Sequence, residues 1–171
     1  MTESDILQKP EYLHVALNHL TIYGVMLGAL ALLIALVLRS RAAQITALVL
    51  TLVAGFSAYP VLVTGQRAYK TVRAMADDPG AEWLDEHMDR AEKTVGAFYV
   101  LAVLALAGLL VPLKWPKTGA PLTALTLAVA LVCSGLAAYI AQAGGRVRHP
   151  EFRPGETPAA PATSETPPHT Q

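Results

Sequence analysis

Residues 20–38 read LTIYGVMLGALALLIALVL, a run without one charged side chain. Its length is close to the ~20 residues that a helix needs to cross a hydrocarbon core. Three more runs of the same kind follow at 42–63, 95–113 and 122–143. The remaining composition agrees. The 171-residue chain is 53% hydrophobic and only 15% charged, whereas a soluble domain carries about 25% charged residues. The expected fold is therefore all-α: an integral membrane, antiparallel four-helix bundle occupying residues 1–149. A formal net charge of zero gives no electrostatic basis for a nucleic-acid partner. The lipid bilayer is the partner that the composition implies.

The joints can be read from the breakers. Pro10 marks a helix start. Arg39-Ser40-Arg41 leaves room only for a tight hairpin, and Pro60 is expected to kink the second span. Ala68, Val72 and Met75 continue at helical spacing until Asp77-Asp78-Pro79-Gly80 breaks the chain. The helical pattern then resumes from Ala81 into span three, so 66–94 is expected to form a helical hairpin outside the bilayer. Pro112, Trp115-Pro116 and Gly119 are read as the end of span three, and Gly144-Gly145 as the end of span four. Residues 150–171 hold six prolines among Thr, Ser, Glu and Ala and read as a disordered tail. The first 19 residues contain one lysine and three acids; a cleavable leader would open with a basic segment, so span one is expected to remain in the protein.

Small residues recur where spans would touch. Gly24 and Gly28 form a GxxxG pattern, extended by Ala31 and Ala35, and Ala47, Thr51, Gly55 and Ala58 make a stripe on span two. Such stripes let helix backbones approach closely. They serve either a compact monomer or, through Gly24 and Gly28, a homodimer. Tyr23, Tyr59, Tyr99 and Tyr139 fall at one depth, as an aromatic belt would or as inward hydrogen-bond partners of a bound group. The lone Cys133 lies within span four and is read as a packing residue.

An even number of spans places both termini and the loop between spans two and three on one side. His14, His19, His87 and His149 all belong to that side. Arg39 and Arg41 directly follow span one, with only Lys9 before it, which favours termini on the exterior or periplasmic side of the plasma (inner) membrane. On a helix, residues five apart point about 140° away from each other, so His14 and His19 cannot serve one small ion from the same helix. His87 shares a face with Trp83, Ala91, Thr94 and Phe98, while the charges Asp85, Glu86, Asp89 and Arg90 mostly occupy other faces. It is therefore expected to look into the bundle.

Three uses of these histidines compete. They can be interfacial residues hydrogen-bonded to neighbouring helices, without cofactor. They can hold haem b, which needs one or two axial histidines and small residues to admit the porphyrin; Gly24, Gly28, Gly55 and Gly96 would supply that room. They can bind zinc or copper. His19 and His87 are the expected ligand pair, with His14 and His149 as a second pair. No catalytic residue is expected. The spans hold no carboxylate of the sort ion-coupled transporters use, and the chain has no P-loop, GxSxG or HExxH motif. The acid-rich stretch 77–92 lacks the spacing of a calcium loop and reads as a solvated helix face.

Leu13-His14-Val15-Ala16-Leu17-Asn18-His19-Leu20, Thr64-Gly65, His87 and Gly144-Gly145-Arg146-Val147-Arg148-His149 follow one another along residues 10–150. In that order they resemble the landmarks of a bacterial membrane family, domain of unknown function 2231. Val15 and Thr21 stand where the family pattern has proline. The resemblance implies a four-helix membrane domain found beside cytochrome c-like or Rieske-like redox domains. It therefore implies an electron-transfer role, a redox partner of that kind, and a histidine side that faces the exterior.

Overall fold

The computed structural model describes residues 8–155, and every regular element among them is helical. The order is α1 (Pro10–Val37), α2 (Arg41–Phe56), α3 (Ala58–Met75), α4 (Asp78–Lys114) and α5 (Gly119–Arg148), with short 3-10 turns at Pro116–Thr118 and Pro150–Phe152. Four stretches, Pro10–Val37, Arg41–Met75, Asp78–Lys114 and Pro116–Arg148, are long and apolar enough to cross a membrane.

Local chemistry sets the boundaries. Pro10 opens α1, where its missing N–H costs nothing. Arg39 takes a left-handed φ of 51° in the turn before α2, and Ser40 Oγ caps that helix by accepting the Ala43 N–H at 3.3 Å. Pro60 cannot donate to the carbonyl four residues back, and the helix breaks at Ser57, dividing α2 from α3. The Ser57 hydroxyl is held at that break by the Ala54 carbonyl and by Thr21 Oγ1, each at 2.7 Å. Asp77 caps α4 by accepting the Gly80 N–H at 3.1 Å.

Two boundaries differ from the sequence reading. Pro112 lies inside α4, which runs on to Lys114. Gly144 and Gly145 lie inside α5, which continues to Arg148. Order also extends past 149: Pro150–Phe152 is a turn, and Arg153 is buried. The rest of the proposed tail, 156–171, lies outside the described residues.

The helices meet through small residues. A Cβ at Gly24 would come within 2.9 Å of Ala54 Cβ, and one at Gly28 within 2.8 Å of Thr51 Oγ1. Gly55 lies against the backbone of Phe98 and Ala102, and Gly108 against Leu48. The Gly24–Gly28 stripe is thus covered by α2 of the same chain, not free for a second copy. Gly96 and Gly135, by contrast, face open space. Leu32, Leu48, Leu101, Val25 and Cys133 are fully buried, together with Thr51, Thr123 and Thr126. Those threonine hydroxyls each donate to the carbonyl one turn earlier, at 2.8 Å.

Large apolar side chains also lie on the outer surfaces of the long helices. Val37 is 73% exposed and Leu113 80%, and Leu27, Phe56, Val103 and Leu131 are also exposed. Replacing Gly28 by Leu should overpack the α1–α2 seam at a cost of about 1–3 kcal/mol. A lowered midpoint of thermal unfolding in detergent, beside an unchanged one for Gly135→Ala, is the expected result.

Candidate functional site

His14 on α1 and His87 on α4 are the two histidines that the fold brings together. Their ring centres lie 6.2 Å apart with planes at 88°. Each ring is held in the same way. His14 Nδ1 lies 2.9 Å from the Val61 carbonyl of α3, and His87 Nδ1 lies 3.0 Å from the Ile140 carbonyl of α5. A carbonyl oxygen only accepts, so in both residues Nδ1 carries the proton and Nε2 keeps an in-plane lone pair in the neutral ring.

A glycine admits each ring. A Cβ at Gly65 would sit 2.9 Å from His14 Nδ1 and Cε1, and one at Gly144 would sit 3.0 Å from His87 Nδ1. Gly144 therefore serves a packing role inside α5 in place of the helix-ending role read from the sequence. Both rings line a cavity of about 720 Å³ at this end of the molecule, whose floor includes Phe98 and Ala137 and whose rim includes Lys9 and Arg148. That size falls within the usual range of small-molecule sites.

The other two histidines lie apart. His19 is exposed; its Nδ1 donates to the Val15 carbonyl of its own helix at 2.6 Å, and its ring stacks on exposed Tyr23. His149 is exposed, paired with Glu151 at 2.9 Å and tilted against Phe152. The expected partnership of His19 with His87 is thus replaced by His14 with His87, because the face of α1 toward α3 is the one bearing His14. The four tyrosines of the proposed belt are all exposed, at 36–58%, so none points inward at a bound group. The porphyrin room expected from Gly24, Gly28 and Gly55 is filled by Ala54, Thr51 and the backbone of α4.

Three polar features near this end were not visible in the sequence. Arg90 is buried on α4, donating to Glu86 Oε1 and to the Tyr139 carbonyl, each at 2.7 Å, with its guanidinium 3.9 Å from the Tyr139 ring centre. Arg153, nearly inaccessible, grips Asp77 with two bonds of 2.7 and 2.8 Å. Its guanidinium holds the Asp77 carboxyl below the usual range. Asp85 takes hydrogen bonds from Tyr69 and Arg73, which lower its pKa and tie α4 to α3. The sequence did carry one usable signal for the site: Gly65-Gln66-Arg67 and Gly144-Gly145-Arg146 repeat a Gly-x-Arg pattern.

Comparison with protein-family models, curated proteins and solved structures finds no match to the chain.

Burial lowers the His87 pKa from the ordinary 6.5, against the raising effect of the Ile140 carbonyl; the nearby His14 and Arg90 lower it further. Because the folded value is the depressed one, the contribution of His87 to stability is fully present above pH 6.5 and is lost as pH falls through the folded value. Thermal unfolding midpoints followed from pH 7.5 to 5 should fall more steeply for the native protein than for His87→Gln. Parallel curves would refute the assignment.

Proposed function

We propose that this protein is an integral membrane module, an antiparallel four-helix bundle, that holds a redox group between His14 and His87, with haem b as that group. The observation that carries this reading is the ring pair: two imidazoles 6.2 Å apart, each with Nδ1 engaged by a helix carbonyl. Orientation by an Nδ1–H···O=C bond is the arrangement common to histidines that ligate metals. His14 and His87 would hold such a group between them from two different helices, α1 and α4.

Donor number favours haem over a bare ion. Haem iron is held by one or two side chains from protein, whereas zinc takes three or four. Among the described residues, no group of three or more His, Cys, Asp or Glu is placed to hold a metal. With Nδ1–H committed, the neutral rings offer lone pairs, so they suit a metal centre or a hydrogen-bond donor and not a bare carbonyl oxygen. Haem, when bound, supplies one-electron transfer. The chain's part is to fix both imidazoles, to enclose the site with the apolar walls of α1, α3, α4 and α5, and to place Lys9 and Arg148 at the rim.

Membrane insertion is supported by the four apolar helices and by large aliphatic side chains on their outer surfaces. We place the termini on the exterior side of the plasma membrane, following Arg39 and Arg41, and keep the kinship with family 2231 and an exterior cytochrome c-like or Rieske-like partner as parts of the same proposal.

A second reading, in which the histidines only fasten helices together, draws support from the same hydrogen bonds, since each ring already has a partner. Absorption spectra of the detergent-purified protein, oxidised and dithionite-reduced, with a pyridine haemochrome assay, separate the two. A Soret band that shifts on reduction, lost in His14→Ala and in His87→Ala but kept in His19→Ala and His149→Ala, is expected. A full Soret band in the His14→Ala/His87→Ala double variant would refute the ligand pair. A colourless protein from a haem-replete host would favour the fastening reading.

A further inference from the structure

The chain folds as two copies of one helical hairpin, a repeat that its residue identities conceal. The buried positions Val25, Leu32 and Ala35 of α1 fall at one constant offset from Phe98, Ala105 and Gly108 of α4, all buried as well. His14 and His87 stand at that same offset. In the second arm of each hairpin, α2 with α3 in the first and α5 in the second, Gln44, Ala54 and Ala58 fall at another constant offset from Thr123, Cys133 and Ala137, again all buried. Val61 and Ile140, the two carbonyl acceptors, share that offset, and so do Gly65 and Gly144.

The match extends to chemistry. In each hairpin an imidazole on the first arm donates to a carbonyl of the second arm (α3 in the first hairpin, α5 in the second), and the ring rests on the glycine one turn beyond that carbonyl. The carbonyl already receives the N–H of that glycine in the helix ladder and has a second lone pair to offer. The ring can reach it only where the next turn has no side chain. Ordinary contact with a Cβ begins at 3.4 Å, and an alanine at either glycine would leave 2.9 or 3.0 Å, so the ring would have to shift by several tenths of an ångström against its carbonyl.

We infer that the cavity is a pair of equivalent half-sites, one per hairpin, and that Gly65 and Gly144 are the positioning residues that aim His14 and His87 at one shared guest. Each half contributes one imidazole from its own side, so the guest is bound by both halves alike. The half-sites exist whether or not haem is the guest; only the identity of the guest rests on the function proposed above.

The test uses Gly65→Ala and Gly144→Ala in the full chain, with Gly96→Ala and Gly135→Ala as controls at glycines that face open space. Histidine ring ¹⁵N–¹H spectra of the guest-free protein in detergent micelles come first. Gly65→Ala should move the Nδ1–H resonance of His14 and leave that of His87 in place, and Gly144→Ala should do the reverse. Ferric haem titration comes second. Each variant should weaken binding by at least tenfold and by similar factors, and the controls should bind as the native protein does. A variant that leaves its own imidazole unmoved, or a haem affinity that depends on one glycine alone, would overturn the half-sites. If the native protein takes up no haem while the resonances move as stated, the haem assignment fails and the half-sites stand.

Discussion

One interaction, made twice, organises the end of the molecule that matters: an imidazole N–H given to a helix carbonyl across a glycine. In apolar surroundings an unpaired N–H costs about 1–3 kcal/mol, more than a made bond returns, so each ring is strongly confined to the one place where a carbonyl is within reach. That place exists only because Gly65 and Gly144 have no Cβ to bar the ring. The same contacts set how closely α1 lies on α3, and α4 on α5. Below the rings the packing is tight, through alanine, glycine and threonine; at their level the four helices leave a cavity.

The polar groups outside this pair hold the two ends. At the far end Arg41 donates to the Gly108 carbonyl at 3.0 Å, beside buried Gln44 and Thr123. At the histidine end Arg153 clasps Asp77, Arg73 holds Asp85, and buried Arg90 joins α4 to α5. Hydroxyls within the apolar middle are satisfied by their own helices. Such a distribution leaves the middle of the four long apolar helices free of charge and concentrates ionic ties toward the two ends.

The helices were legible in the chain because nothing local opposes them: long runs without charge, Pro10 at a start, Ser40 and Asp77 at caps, Pro60 at the break. The choice among histidines was not. Helical spacing showed that His14 and His19 diverge, but which of them turns inward depends on where α3 lies, and that is decided by Gly65 fifty-odd residues away. Gly144-Gly145 misled for a related reason. Glycine pairs end helices in water, where exposed backbone gains hydration, whereas here α5 continues and Gly144 is kept for the ring that rests on it. The i,i+4 pairing of Arg90 with Glu86 is legible in the spacing, whereas its bond to the Tyr139 carbonyl, which draws it inward, depends on where α5 lies. The internal repeat is hidden in the sequence because the two hairpins share burial positions and a Gly-x-Arg pattern but few residue identities.

The electron paramagnetic resonance spectrum of the ferric, haem-loaded protein tests the paired imidazoles most directly. If His14 and His87 hold one iron between them, the spectrum should show a low-spin ferric signal that is lost in His14→Ala and in His87→Ala. A high-spin signal, or a low-spin signal kept in both variants, would contradict the account.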